Sequence, residues 1–106
     1  MGMQFGIFTV GDVTMDPTTG RTPTEHERIK ATVEIAKHAE EVGLDVFATG
    51  EHHNPPFIAS NPTATLAYIG AKTENIILST ATTLITTTDP VLIAEDYAKI
   101  QHLTDG

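Results

Sequence analysis

The sequence contains no cysteine among its 106 residues. Disulfide bonds, thiolate metal sites and cysteine nucleophiles are therefore excluded, and this composition fits a cytoplasmic protein. Basic residues are also few, because 6 lysines and arginines stand against 14 aspartates and glutamates, for a net charge of −8. Such an acidic surface repels phosphate, so neither nucleic acid nor an anionic membrane is an expected partner.

Long apolar runs are missing as well. No stretch approaches the roughly 18 residues that span a bilayer, and the first four residues lack the basic and apolar regions of a signal peptide. The chain does have a hydrophobic fraction of 40% and a charged fraction of 19%. This composition predicts one small folded segment covering residues 1–106.

Three short segments have the composition of buried strands. They are residues 4–8, 45–49 and 76–81. Each is rich in apolar or β-branched residues and lacks the strict alternation of a half-exposed strand, which is typical of a parallel sheet covered on both faces.

A helix is predicted after each strand, and each helix begins with a capping residue before proline. The pairs are Thr22-Pro23, Asn61-Pro62 and Asp89-Pro90. The capping oxygen accepts an unpaired N–H, and proline at the first helical position loses no hydrogen bond. Glu25 is expected to complete a capping box with Thr22.

Apolar residues in the first and third predicted helices recur at the helical period of 3.6 residues. They are Ile29, Val33, Ala36 and Ala39 in the first, and Ile93, Tyr97 and Ile100 in the third. Glycines follow both helices, and we expect Gly43 and Gly106 to cap them.

The resulting order, β-α-β-α-β-α, predicts parallel strands with right-handed crossovers. Three βα units are an incomplete part of a (β/α)8 TIM-type barrel, which needs eight units and about 250 residues. Exposed strand edges and an incomplete active site are therefore expected. The long segment 9–21 follows the first strand, either on the face that carries active sites or as a solvated insertion.

The sequence Glu51-His52-His53 directly follows the second strand. Reactive side chains of β/α proteins lie at the carboxyl ends of strands, and imidazole exchanges protons near neutral pH. The alternative is a histidine that only hydrogen-bonds a loop backbone. A shared metal site is disfavoured because neighbours on an extended chain point to opposite faces. The remaining histidines match no ligand spacing and are expected at the surface, namely His26, His38 and His102.

Small and hydroxyl-bearing residues leave the third strand at positions 79–84. They would let a flat ligand approach the backbone, although threonine also simply favours β structure. Neither the dinucleotide-binding glycine pattern nor the P-loop occurs.

These features together resemble the bacterial luciferase-like flavin monooxygenases. The resemblance is carried by motifs in a fixed order: FGIF at 5–8, AEEVGLD at 39–45, EHH at 51–53, KTENIILSTA at 72–81, DPV at 89–91, AED at 94–96 and LTDG at 103–106. It covers essentially the whole chain.

The resemblance implies a β/α barrel that binds reduced FMN at the carboxyl ends of its strands and uses O2 to oxidise an aldehyde or another small organic substrate. Some members use a deazaflavin, and nothing in this sequence separates the two. A flavin reductase would supply the reduced flavin. The family also commonly dimerises through its second and third helices, here 61–72 and 90–104.

In terms of this resemblance, His52 matches a proposed acid/base near the flavin and Glu51 the carboxylate beside it. Ala81 and Thr82, together with Thr80, match the segment against the flavin ring, where the family often has a non-prolyl cis peptide. Asp89 departs from the family, which often has histidine there. The arginine commonly used for the flavin phosphate would lie beyond residue 106.

The leading hypothesis is thus the N-terminal part of a flavin monooxygenase, inactive as a fragment and without a resident metal. One alternative is a non-catalytic module that self-associates through helices rich in small residues. Another is a metal-dependent barrel hydrolase that uses His52.

Overall fold

The structure is a computed structural model that describes residues 2–106. Its elements alternate as β1 (Gly6–Thr9), α1 (Glu25–Glu41), β2 (Val46–Thr49), α2 (Pro62–Gly70), β3 (Ile77–Thr80) and α3 (Pro90–Leu103). The strands form one parallel sheet in the order β1-β2-β3. The predicted β/α order and parallel sheet are confirmed.

The residues just before β1 and β2 are joined by the side chain and backbone of Asp45. The Asp45 carboxylate accepts the N–H of Phe5 at 2.9 Å, and the Asp45 N–H donates to the Phe5 carbonyl at 2.7 Å. Gly6 then lies so close to β2 that a Cβ there would be 2.6 Å from the Val46 carbonyl oxygen. Each strand has four residues, so the predicted strands were slightly too long.

The hydrophobic core lies between the sheet and the helices. Its members are Val33, Ala36, Ala39, Phe47, Leu66, Ile69 and Ile76. Ile29 shares the apolar period of α1 with these residues but lies outside the core, because it is 46% exposed. The 17-residue helix α1 is about 25 Å long, whereas a four-residue strand spans about 13 Å. The helix is therefore longer than the strands it packs against.

The capping residue was predicted correctly for two of the three helices and wrongly for the third. Asn61 and Asp89 cap α2 and α3 as expected. Helix α1 is capped by Thr24 and not by Thr22. The Thr24 hydroxyl accepts the Glu27 N–H at 3.2 Å, and the Glu27 carboxylate accepts the Thr24 N–H at 2.9 Å.

Two overlapping threonine–glutamate pairs, 22/25 and 24/27, explain this error. The second pair forms the cap, and the Glu27 carboxylate also accepts a two-pronged hydrogen bond from Arg21, at 2.9 Å for each nitrogen. The Thr24 N–H hydrogen bond is the main cause that lowers the pKa of Glu27 below its ordinary value.

Of the two glycines expected to cap helices, Gly43 does so and Gly106 does not. Gly43 has φ +89 after α1, and the Leu44 N–H returns to the Ala39 carbonyl at 2.9 Å, as the prediction requires. After α3 the left-handed residue is Asp105, with φ 57. Gly106 is the next residue, and its N–H donates to Gln101 at 3.0 Å. The predicted cap is therefore displaced by one residue.

The turn before β3 is organised by Glu40, near the end of α1. Its carboxylate accepts the backbone N–H groups of Glu74, Asn75 and Ile76, at distances of 2.6–3.1 Å. The pKa of Glu40 is therefore below its ordinary value of 4.5, chiefly because the Asn75 N–H stabilises the charged form. Desolvation raises the pKa in part, and the N–H groups of Ile76 and Glu74 lower it further. This contact lies at the amino-terminal edge of the sheet, away from the carboxyl ends of the strands.

Several large hydrophobic side chains remain exposed around the sheet and helices. Examples are Phe5 (60%), Ile77 (48%) and Leu103 (71%). Helix α3 contains no fully buried residue. Among residues 2–106, no helix is long and apolar enough to cross a bilayer.

Candidate active site

The carboxyl ends of the strands bring the sequence-predicted residues to one edge. Strand pairing continues past each strand, because the Gly50 N–H donates to Thr9 and the Ala81 N–H donates to Thr49, both at 2.9 Å. The segment after β2 thereby lies beside the segment after β3. A Cβ on Gly50 would be 3.7 Å from both the Ala81 carbonyl oxygen and the Phe8 ring.

Glu51 is the buried charged group of this edge, with a side chain that is 5% exposed. One carboxylate oxygen lies 2.7 Å from Nε2 of His53. The other accepts the backbone N–H of Leu84 at 2.8 Å. Glu51 therefore joins the end of β2 to the segment that follows β3.

His52 is held by a different contact. Its half-buried ring stacks on Phe57 with a centroid distance of 4.4 Å, and its backbone N–H donates to Ala59 at 3.0 Å. Glu51 precedes His52 in the sequence, but the structure brings its carboxylate to His53, which the sequence reasoning did not select. Alternation along an extended chain was the available signal, since residues two apart share a face.

The segment after β3 has the predicted backbone feature. The peptide bond between Ala81 and Thr82 is cis, and both residues are exposed. The Thr80 hydroxyl is engaged elsewhere, because it hydrogen-bonds to Thr83 at 2.8 Å and to the Tyr97 hydroxyl at 3.1 Å. Thr83 and Tyr97 also hydrogen-bond to each other, so three hydroxyls tie this segment to α3.

The long β1–α1 segment packs against the residues around His52. The Val13 N–H donates to Pro56 at 2.7 Å, and the Ile58 N–H donates to Gly11 at 2.8 Å. Asp12 forms an antiparallel bridge with Phe57, the residue on which His52 stacks. Residues 9–13 therefore lie beside the candidate site, whereas residues 14–21 are exposed to solvent, so each interpretation holds for one part of the segment.

Arg28 anchors this segment and was missed by the sequence reasoning. Its three guanidinium nitrogens donate to the Asp12 carbonyl and to the hydroxyls of Thr32 and Thr9, at 2.8–3.1 Å. Only the four-residue spacing to Thr32 could have been anticipated from sequence. The contacts with Asp12 and Thr9 depend on tertiary structure.

A cleft of about 260 Å³ lies next to the Glu51–His53 pair, between that pair and α3. Asp96, Tyr97 and Thr83 contribute to its lining. Within residues 2–106, no three histidine, aspartate or glutamate side chains lie close enough together to hold a metal ion. As expected from their positions, His26, His38 and His102 are exposed on helices.

The family model for luciferase-like monooxygenases matches residues 3–106. A curated relative, the N-acetyl-S-alkylcysteine monooxygenase of Bacillus subtilis (strain 168), is 32% identical over 88 residues, which cover 82% of this chain and 26% of the relative.

Solved structures have the same fold. The FMN-complexed oxygenating constituent of 3,6-diketocamphane monooxygenase from Pseudomonas putida matches with a TM-score of 0.83 at 22% identity, over 100% of this chain and 28% of that one. The monooxygenase RslO1 from Streptomyces bottropensis matches with a TM-score of 0.82 at 25% identity, over 98% and 31%. This chain thus spans between a quarter and a third of these proteins.

Proposed function

The chain belongs to the luciferase-like monooxygenase family, and from this premise we propose that it forms the N-terminal part of an FMN-dependent monooxygenase. The observation that carries the proposal is the meeting of two segments at one sheet edge. His52 lies two residues beyond Gly50 in the segment after β2, and the exposed pair Ala81 and Thr82 follows β3, where Ala81 lies beside Gly50. The FMN complex of a protein with the same fold supports this choice of cofactor.

The residues at this edge fit the flat ring of a flavin. Gly50 and Ala81 carry little or no side chain, and the Phe8 ring beside them is 54% exposed. Such a surface allows a planar ring to contact backbone and apolar atoms, as cofactor sites commonly do. The Thr80 hydroxyl is already bonded to Thr83 and Tyr97, so Thr80 would support the segment under the flavin ring and would not bond to the ring itself.

The fit for the flavin phosphate is incomplete. Arg28 is the cation tied to the β1–α1 segment, but its side chain is only 17% exposed and three of its five N–H groups already donate to protein oxygens. A phosphate is best held by free arginine donors or unpaired backbone N–H groups. We therefore infer that the remaining units of the barrel supply the phosphate contacts.

When bound in its reduced form, the flavin supplies the electrons that activate O2. The part played by this chain is to handle protons and to exclude water. We assign proton transfer to His52, because its ring is half-buried and fixed by stacking, and because imidazole changes protonation near neutral pH. Residues 11–13 pack against the loop that carries this histidine, through Pro56, Phe57 and Ile58, and we expect them to shield it from water.

The substrate is proposed as an aldehyde or another small organic molecule. The complete enzyme would work in the cytoplasm with reduced flavin from a separate reductase. A deazaflavin would use the same ring surface, so direct titration with each cofactor distinguishes them.

The test compares the complete protein with the 106-residue chain. We expect the complete protein to bind FMN and to convert the substrate into an oxygenated product when a reductase, NADH and O2 are present, and we expect the 106-residue chain to bind FMN weakly. A Kd below about 1 μM for the short chain, equivalent to about −8 kcal/mol, would contradict the inference that its site is incomplete.

His52→Gln tests the proton-transfer assignment in the complete protein. Turnover should fall by roughly 10²- to 10⁴-fold, the range for loss of a general acid or base, while FMN affinity stays close to wild type. His102→Gln is the matched control, since His102 is exposed near the end of α3. Full turnover by His52→Gln would refute the assignment.

Self-association is a second candidate function, favoured by exposed apolar residues on α3. Val91 is 61% exposed, Leu92 54% and Leu103 71%. Helix α3 packs on α2, where Ala64 and Ala67 line the groove between them. Copies joined through helices 61–72 and 90–104 would cover these side chains.

Sedimentation of the purified chain tests this candidate. We expect a concentration-dependent dimer that Leu92→Glu weakens, whereas the control Glu95→Gln, at another exposed position of α3, leaves it intact. A folded monomer at every concentration would contradict the candidate.

A further inference from the structure

The segment from Ala81 to Leu84 leaves the sheet and has two separate attachments. The Ala81 N–H still belongs to the sheet pairing, through Thr49 at 2.9 Å. Beyond it, the Leu84 N–H donates to the Glu51 carboxylate at 2.8 Å. Glu51 is thus the contact from β2 that holds this segment after strand pairing ends.

Because Glu51 is buried, its carboxylate needs a hydrogen-bond partner for each oxygen. A carboxylate that is 5% exposed is costly unless its oxygens are hydrogen-bonded. One oxygen is bonded to Leu84 and the other to His53, whose ring is half exposed. The carboxylate therefore holds the Leu84 N–H on its protein side, while His53 satisfies its other oxygen on the solvent side.

The three hydroxyls of Thr80, Thr83 and Tyr97 hold the same segment on the side that faces α3. Thr83 bonds to Thr80 and Tyr97, while the neighbouring Leu84 bonds to Glu51. The backbone between Ala81 and Leu84 is therefore fixed at both ends. The exposed pair Ala81 and Thr82 lies at the beginning of this fixed stretch.

We propose that Glu51 is a positioning residue that fixes segment 81–84 against the end of β2 and so sets the surface on which the flavin ring rests, with His53 as a second hydrogen-bond partner of its carboxylate. This inference rests on the proposed function, because it takes that surface to be the flavin contact. Glu51 is assigned no proton transfer, since both its oxygens are committed to structural contacts.

Three variants separate positioning from other roles. Glu51→Met fills the same space without an acceptor, so the Leu84 N–H loses its partner. Glu51→Gln keeps a carbonyl oxygen for Leu84 and an NH2 group that can donate to His53. His53→Gln removes the ring but leaves the bond between Glu51 and Leu84.

The first measurement needs no flavin. Hydrogen exchange of the Leu84 amide should accelerate on the order of 10- to 100-fold in Glu51→Met, the factor expected for one lost charge-assisted hydrogen bond. Exchange should stay within a few-fold of wild type in Glu51→Gln and His53→Gln. An unprotected Leu84 amide in the wild-type protein overturns the proposal, and that result does not depend on any variant folding.

The second measurement is FMN affinity and steady-state turnover in the complete protein. Glu51→Met should weaken FMN binding by about 10-fold or more, and Glu51→Gln should restore it. Unchanged affinity in Glu51→Met, with Leu84 exchange accelerated, overturns the link between this segment and flavin. Failure of the wild-type complete protein to bind FMN refutes the proposed function instead, while the exchange result still decides whether Glu51 fixes the segment.

Discussion

Replacing Glu40 by glutamine removes a charge that three consecutive backbone N–H groups share. The carboxylate accepts from Glu74, Asn75 and Ile76 at 2.6–3.1 Å and so holds the turn that leads into β3. Glutamine has the same shape and keeps one acceptor oxygen, but its NH2 group faces donors. We expect the free energy of unfolding to decrease.

The magnitude follows from how exposed each donor is. A hydrogen bond to a charged group contributes about 1.5–3 kcal/mol when it is well protected. The Glu74 and Asn75 bonds are exposed to solvent, and only the Ile76 bond is partly buried. The exposed donors return to water at little cost, so we expect a loss of about 1 kcal/mol, which lowers the melting temperature by roughly 4–8 °C.

The same contact predicts a pH dependence with a definite sign. The pKa of Glu40 is lowered from 4.5 in the folded chain, mainly by the Asn75 N–H. A lowered carboxyl pKa adds stability that is present above the unfolded-state pKa and is lost as pH falls through the folded-state pKa. The difference between wild type and Glu40→Gln should therefore be constant near neutral pH and should shrink below about pH 4.5.

Urea unfolding at several pH values measures this difference. Glu41→Gln is the matched control, because Glu41 is the adjacent residue, is exposed, and only pairs with His38 at 3.4 Å on the surface. Its effect should stay within about 0.5 kcal/mol. Equal effects of the two substitutions, or a Glu40 difference that persists unchanged in acid, would refute the reasoning.

Two further pairs of variants test local features by thermal or urea unfolding. Gly11→Ala should reduce the free energy of unfolding by roughly 2–4 kcal/mol, because Gly11 has φ +71 and a Cβ there would lie 2.8 Å from Cβ of Ala59. Gly20 has the same φ of +71 but lies in open space, so Gly20→Ala should reduce it by only about 1–2 kcal/mol. Equal reductions would contradict the packing argument. Thr24→Ala should cost about 1 kcal/mol through loss of the helix cap, whereas Thr22→Ala should change little; the reverse order would contradict the capping box at Thr24.

Features set by neighbouring residues were predictable from sequence. Asn61 and Asp89 cap their helices, and Gly43 ends the first helix, as their local patterns indicated. The exception is Thr24, because two capping patterns overlap there. The local patterns at 22/25 and 24/27 are equivalent, and in the folded chain only Glu27 also pairs with Arg21.

Periodicity predicted most of one helix face and failed at its end. Val33, Ala36 and Ala39 are buried, whereas Ile29 is exposed. The period of a helix shows which residues share a face, but it does not show how far the opposing sheet extends. That extent depends on strand length and crossing position, which are tertiary properties.

The family and the β/α fold were correctly predicted from ordered motifs, and the site residues remain predictions. Glu51 and His53 could have been paired from their spacing of two on an extended chain. The bond from Glu51 to Leu84 joins residues 33 positions apart. Nothing in the local pattern around either residue specifies it.

The sequence by itself determined the element order, two helix caps and the presence of ionisable side chains directly after the second strand, because these depend on residues that are close along the chain. Only the tertiary structure decided which partner each of these side chains has. Parallel strand pairing brings distant segments to one edge, and burial then requires polar groups such as Glu51 to find hydrogen-bond partners there. For that reason Glu51 contacts His53 and Leu84, while His52 stacks on Phe57.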